Sequence, residues 1–131
     1  MAAAIRRSPA WKACIVNLMW QPGETLGMSA ADHIEAIYRH AGGPFLQFAI
    51  VNTQPIARAR LARYARARAR QVTVDQERLE RLGLQVLELP LLARGEKIRH
   101  DPERTAAAVI DLALHSRRQR VILARPARRR A

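Results

Sequence analysis

Two short apolar runs constrain this chain more than any other feature. "ACIVNLM" (13–19) and "FLQFAIVNT" (45–53) are rich in aliphatic residues, include β-branched members, and each reaches an asparagine, Asn17 or Asn52. Runs of this length are too short for buried helices and suit strands covered on both faces, as in a parallel sheet. Between them lies a helical pattern. Ser29 followed by Asp32 is a helix start with a cap and an acid in the first turn. Ala30, Ile34, Ile37 and Ala41 share one helical face, and Gly42-Gly43 supplies the stop.

The alternation continues downstream. A helix is expected from about Ile56 to Arg70, with Ala57, Leu61, Tyr64 and the stem of Arg68 on one stripe. "QVTVD" (71–75) reads as a short strand, Glu77 to Leu82 as a helical turn ended by Gly83, and "LQVLELPLL" (84–92) as another strand. Asp101-Pro102-Glu103 combines a cap, a first-position proline and an acid at the positive end of the dipole. The helix it starts is expected to run to about Ser116 and to bury Ala106, Val109, Ile110, Ala113 and Leu114. "VILA" (121–124), flanked by arginines, reads as a further strand. Strands alternating with helices predict an α/β sandwich on a mainly parallel sheet. Ligands bind such sheets beyond the carboxyl ends of the strands, where Asn17, the Gln21–Thr25 loop, Asn52 and Thr53 all fall.

The net charge of +12 over 131 residues raises the question of a polyanionic partner. Its location answers part of it. Six arginines lie in "ARARLARYARARARQ" (57–71) and seven more between Arg117 and Arg130, and neither stretch holds an acid. The rest of the chain is nearly neutral. A solvated helix face and a basic tail account for both stretches, and base-stacking aromatics are scarce, so nucleic acid is not an expected partner. Polyanion binding through these arginines stays as an alternative. Residues 1–116 are expected to form one α/β domain and 117–131 a partly disordered basic tail.

Other classes are constrained more sharply. No stretch reaches the roughly 20 apolar residues of a membrane span, and no signal-peptide cleavage pattern follows Arg6 and Arg7, so a cytoplasmic location is expected. The single cysteine, Cys14, sits inside an apolar run and is expected to be a buried, inert thiol. His33, His40, His100 and His115 lack companions at metal-ligand spacing, so no metal site is expected. No Ser/His/Asp or Cys/His arrangement marks a nucleophile, and the catalytic residues are left unassigned.

The loop "QPGET" (21–25) has two readings. Gly23, Glu24, Thr25 and the amides ahead of the helix at Ser29 could hold a phosphate, because a helix N-terminus offers unpaired N–H donors and a positive dipole end. A Pro-Gly turn joining strand to helix explains the same residues without a ligand. The loop is neither a Walker loop nor a dinucleotide fingerprint.

The longer string "NLMWQPGETLGMSAADHIEAI" resembles a segment of the gluconeogenesis factor family, bacterial relatives of 2-phospho-L-lactate transferase. The similarity continues through "AIVNTQPI" (49–56), "LARYA" (61–65), "VTVD" (72–75), "LERLGLQVLELPLL" (79–92) and "IRHDPERTAAAV" (98–109), in register from about Ile5 to Leu114. The resemblance implies a Rossmann-like three-layer sandwich, of which this chain is the C-terminal portion. It implies binding of a nucleotide-linked ligand, a UDP-sugar such as UDP-N-acetylglucosamine, with links to gluconeogenic growth, cell shape and supply of cell-envelope precursors. Carried over by position, Asn17, Gln21, Gly23, Glu24 and Thr25 border the ligand, Asn52 and Thr53 end the next strand, and Arg99 with His100 approach the nucleotide.

A transferase of the phospholactate type, using a nucleotide donor and a divalent metal, is the enzymatic alternative. Trp20 and Leu26 stand where the family usually has Thr and Asp, so a hydroxyl and a carboxylate are missing from the loop. That favours binding over catalysis. A sheet represented in part also has an exposed edge, so self-association or pairing with a complementing N-terminal half is expected.

Overall fold

A computed structural model describes residues 2–124, with side chains to residue 117. Three parallel strands form its sheet in the order β1 (Ala13–Ile15), β2 (Phe48–Asn52), β3 (Gln85–Leu89). Ala13 pairs with Phe48 and Phe48 with Gln85, and the register continues from there. The helices are α1 (Ala2–Arg7), α2 (Ala30–Ala41), α3 (Arg58–Ala65), α4 (Gln76–Arg81) and α5 (Pro102–Ala124). The expected α/β class with a parallel sheet is what forms. Residues 125–131, seven of the fifteen in the expected basic tail, lie outside the described residues, and the other eight continue α5.

β2 is the central strand, and its alternation divides the core. Ala49 and Val51 join Ile34 and Tyr38 of α2, Leu79 of α4, and Val16, Val72 and Leu84 in one buried cluster. Phe48 points to the other face, where its ring meets Trp11 at 5.0 Å and α5 lies beyond. A second cluster of Leu18, Met19, Ile56, Ala69, Leu92 and Ile98 sits beyond the carboxyl ends of the strands.

α2 forms as expected. The Ser29 hydroxyl accepts from the Asp32 amide while the Asp32 carboxylate accepts from the Ser29 amide, a complete capping box. At its other end Gly42 takes φ +77°, the left-handed conformation that closes a helix. Arg6 of α1 donates to the carbonyls of Ala41 and Gly42, which the helix itself leaves unpaired.

Several expectations are corrected. The first strand stops at Ile15 rather than running to Met19, because Leu18 and Met19 turn to the 70–72 segment instead. Val72 donates to Leu18, Trp20 donates to Arg70, and Met19 forms a single antiparallel bridge with Gln71. "QVTVD" is therefore an extended connector carrying one bridge, not a fourth strand. The arginine-rich helix ends at Ala65, short of Arg70, and Arg68 adopts φ +57° in the turn that follows.

The last helix departs most. It continues through "VILA" to Ala124, so no strand forms there. Val109, Ile110 and Leu114, expected to be buried, are 45%, 57% and 46% exposed. The side of α5 that is less exposed carries Thr105, Ala108, Leu112 and Ser116 instead. Among the described residues no helix is long and apolar enough to cross a membrane.

Candidate ligand-binding site

The loop after β1 is held by its own groups. The Thr25 hydroxyl accepts from the Gln21 amide at 2.8 Å, while the amides of Glu24 and Thr25 donate back to the Gln21 carbonyl. Gly23, at φ +84°, gives the turn the left-handed residue it needs. Trp20 then fastens the loop: its indole Nε1 donates to the Met28 carbonyl at 3.0 Å. The guanidinium of Arg70 lies 6.0 Å from the centre of the Trp20 ring, at the outer limit of a cation–π contact.

The amides at the start of α2 are also engaged. Ala30 donates to the Thr73 carbonyl, Ala31 to Asp75 Oδ1 at 2.9 Å, and Asp32 to the Ser29 hydroxyl. Of the two readings of this loop, the phosphate cradle therefore finds these helix-start donors already taken. The chain has placed a carboxylate, Asp75, where the anion would sit. This electrostatic arrangement extends outward through Arg78, whose guanidinium meets Asp32 and Glu35 at 2.8 Å each and Asp75 at 3.5 Å. Asp32 is held below the usual carboxylate range, chiefly by the Ser29 amide, with Ser29's hydroxyl and Arg78 adding to the effect against its desolvation.

A different cleft gathers four of the nine sequence-picked residues, Asn17, Gln21, Arg99 and His100. Asn17, Trp20, Gln21 and Pro22 form one wall, and Tyr64, Ile98, Arg99 and His100 the other, around a volume of about 450 Å³. It opens beyond the carboxyl end of β1, as an α/β sheet favours. The far wall is positioned by α3: the Tyr64 hydroxyl accepts from the Ile98 amide at 2.9 Å. His100 is pinned by an antiparallel bridge to Leu92, and Asp101 next to it donates to the Leu91 carbonyl at 2.7 Å. Burial pushes the His100 pKa below the ordinary imidazole value, with the Val16 backbone partly opposing it. Its Nε2 is buried without a hydrogen-bond partner among the described residues.

The chemistry of this lining is one-sided. Two amides, an imidazole, a guanidinium and two aromatic rings converge, and among the described lining residues there is no carboxylate. Such a surface accepts an anion and a flat ring. Its oxygen donors to a divalent metal are the amide carbonyls of Asn17 and Gln21, with no carboxylate among the described lining residues. Among the described residues, no group of three or more His, Cys, Asp or Glu side chains is placed to hold a metal ion.

Gly23, Glu24, Thr25 and Thr53 lie outside this lining, and Asn52 faces a crevice of about 20 Å³ beside it. Asn52 works within the fold: its Oδ1 accepts from the Leu91 amide at 3.0 Å and its Nδ2 donates to the Gln54 carbonyl at 2.8 Å. Trp20 and Tyr64 line the cleft without being marked as site residues by the sequence. A tryptophan directly before the loop was a visible signal, whereas the Tyr64–Ile98 pairing spans 34 residues and leaves no local trace.

The 2-phospho-L-lactate transferase CofD family model matches residues 1–92. The chain belongs to this family. Among curated relatives, the gluconeogenesis factor of Bacillus subtilis is 37% identical over 107 residues, covering 81% of this chain and 34% of its own length. That of Halalkalibacterium halodurans is 34% identical over 109 residues, covering 82% of this chain and 34% of the relative. The crystal structure of a UPF0052 family protein from Bacillus halodurans superposes with a TM-score of 0.79 at 33% identity, covering 83% of this chain and 35% of that one. The chain thus spans about a third of the length of these relatives and matches their C-terminal portion.

Proposed function

We propose that this CofD-family chain binds a nucleotide-linked ligand, a UDP-sugar of the UDP-N-acetylglucosamine kind, in the cleft between Asn17–Pro22 and Ile98–His100. The supporting observation is the gathering of Arg99, His100, Asn17 and Gln21 in one cleft with no carboxylate among its described lining residues. A guanidinium fork matches phosphate oxygens, and Trp20 and Tyr64 offer flat surfaces for a base. The volume falls within the range of ordinary small-molecule sites. The names of the relatives extend the reading to regulation of carbon metabolism, and cell shape and envelope-precursor supply belong to the same proposal, as does a cytoplasmic location.

Binding rather than catalysis is the reading we favour. A phospholactate-type transferase would call on a divalent metal, and this cleft holds no carboxylate among its described lining residues. Polyanion binding through the arginine-rich helix is the other reading, but two of its members are engaged within the fold. Arg60 donates to the carbonyls of Ala93 and Lys97, and Arg63 pairs with Glu96.

Thermal-shift titration with UDP-N-acetylglucosamine, a guanine nucleotide and duplex DNA tests the proposal. Stabilisation by the UDP-sugar, weakened at least about tenfold in apparent affinity in Arg99→Ala, is expected from loss of a charge-assisted hydrogen bond. A folded protein that responds to neither nucleotide overturns it, and salt-sensitive stabilisation by DNA alone replaces it with the polyanion reading.

A further inference from the structure

The turn that follows α3 carries charge without partners at the edge of the cleft. Tyr64, Ala67 and Ala69 line the cleft, and Arg66, Arg68 and Arg70 are interleaved with them in the chain. All three arginines are exposed, and their side chains make no hydrogen bond or ion pair among the described residues. Nearby acids are committed elsewhere: Glu96 pairs with Arg63, and Asp75 meets Arg78. Glu24 lies outside the cleft lining. Neighbouring Cα atoms are about 3.8 Å apart, so each guanidinium stands within roughly 10 Å of the cleft wall, one Debye length in 0.1 M salt.

Two details tie this turn to the cleft. The Trp20 amide donates to the Arg70 carbonyl at 2.8 Å, and the Arg70 guanidinium lies 6.0 Å from the centre of the Trp20 ring, itself part of the lining. Arg68, directly between Ala67 and Ala69, takes φ +57°, the one positive φ of a non-glycine among the described residues. A Cβ is disfavoured there and glycine is not. Holding an arginine in that conformation sets a charge beside the cleft at a cost in stability, as residues kept for binding do. Tyr64, the aromatic residue of this segment, is tied to the Ile98 amide and lines the cleft. The turn therefore lacks the stacking rings of a nucleic-acid surface and suits a small anion.

We infer that Arg66, Arg68 and Arg70 form a cationic rim that selects ligands of this cleft by charge, favouring a chain of two or more phosphates over a single phosphate or a neutral ring. The rim acts through its summed field rather than through fixed contacts. This inference rests on reading the cleft as an anion site and is independent of the uridine and the sugar.

Isothermal titration with inorganic phosphate, pyrophosphate and tripolyphosphate tests it, with affinity expected to rise in that order. In Arg66→Gln/Arg68→Gln/Arg70→Gln the tripolyphosphate affinity is expected to fall about tenfold at low ionic strength, and the difference to shrink below about twofold in about 0.5 M salt as screening shortens the field. The variant Arg7→Gln/Arg39→Gln/Arg117→Gln removes the same charge from exposed positions on α1, α2 and α5. It is expected to bind tripolyphosphate like the unaltered chain. Arg68→Gly is expected to melt at a higher temperature and yet bind tripolyphosphate more weakly. Equal losses in the two triple variants, a loss undiminished by salt, or equal affinity for phosphate and tripolyphosphate overturns the inference. A UDP-N-acetylglucosamine affinity unchanged in the rim variant at low salt also overturns it, and leaves the UDP-sugar reading standing. Rim-dependent tripolyphosphate binding in a chain that ignores the UDP-sugar supports the rim and removes that reading instead.

Discussion

The Ser29 hydroxyl donates to Asp75 Oδ2 at 2.7 Å, across 46 residues of sequence. With Ala31 donating to the other carboxylate oxygen, Asp75 caps α2 from outside the helix. The same carboxylate meets Arg78, so one side chain joins the start of α2 to the start of α4. Asp75→Ala is expected to cost about 2 kcal/mol in urea unfolding, more than Ser29→Ala, because it leaves partly buried donors unpaired. Equal losses in the two variants would show that the local capping box alone holds the helix.

Trp20→Phe keeps a ring and removes the Nε1 donor to Met28. The expected loss is about 1 kcal/mol in stability, with faster proteolysis in the 21–28 loop as the sharper readout. Unchanged cleavage in that loop would mean that the Thr25–Gln21 turn suffices to hold it.

Asn52 lay at the right strand end for a ligand contact, yet its side chain ties Leu91 and Gln54 together. Asn52→Ala is therefore expected to lower the unfolding free energy by about 1–3 kcal/mol. Its effect on nucleotide affinity in the folded protein is expected to stay below that of Arg99→Ala. Isothermal titration of both variants checks the order.

Stability is expected to depend on pH through His100. Its folded pKa is depressed by burial, so between that value and the unfolded value of about 6.5 the unfolded chain holds more protons. Stability is expected to be insensitive to this group above about pH 6.5 and to fall as pH drops below it. His100→Gln is expected to flatten that part of the profile in denaturant titrations at fixed ionic strength. A slope unaltered in the variant would assign the dependence to another group.

The sequence carried the local rules of this fold in plain form. The capping box from Ser29 to Asp32, the Gly42 stop and the β2 run are short-range patterns, and each formed because the residues that determine it are neighbours in the chain. The same holds for the placement of Asn17, Gln21, Asn52 and Thr53 at or beyond the carboxyl ends of strands, which follows from strand–helix alternation alone. α5 shows where such short-range patterns stop. Its apolar residues recur all round the helix, so periodicity could not say that Thr105, Ala108, Leu112 and Ser116 would lie on the less exposed side while Val109 and Ile110 met water.

The site divides in the same way. The types of residue suited to an anion were legible, as were Arg99 and His100 through their resemblance to a known segment. Which of them face one another was decided by partners far apart in the chain. Asp75 takes the α2 donors, Leu91 takes Asn52, and Tyr64 sets the Ile98–His100 wall. Hydrogen-bonding groups inside a fold must be paired, and long-range pairing chooses which are used up and which remain open to a ligand. Sequence determined the elements and their polar ends; tertiary structure decided that the backbone donors at the start of α2 are taken by Thr73, Asp75 and Ser29.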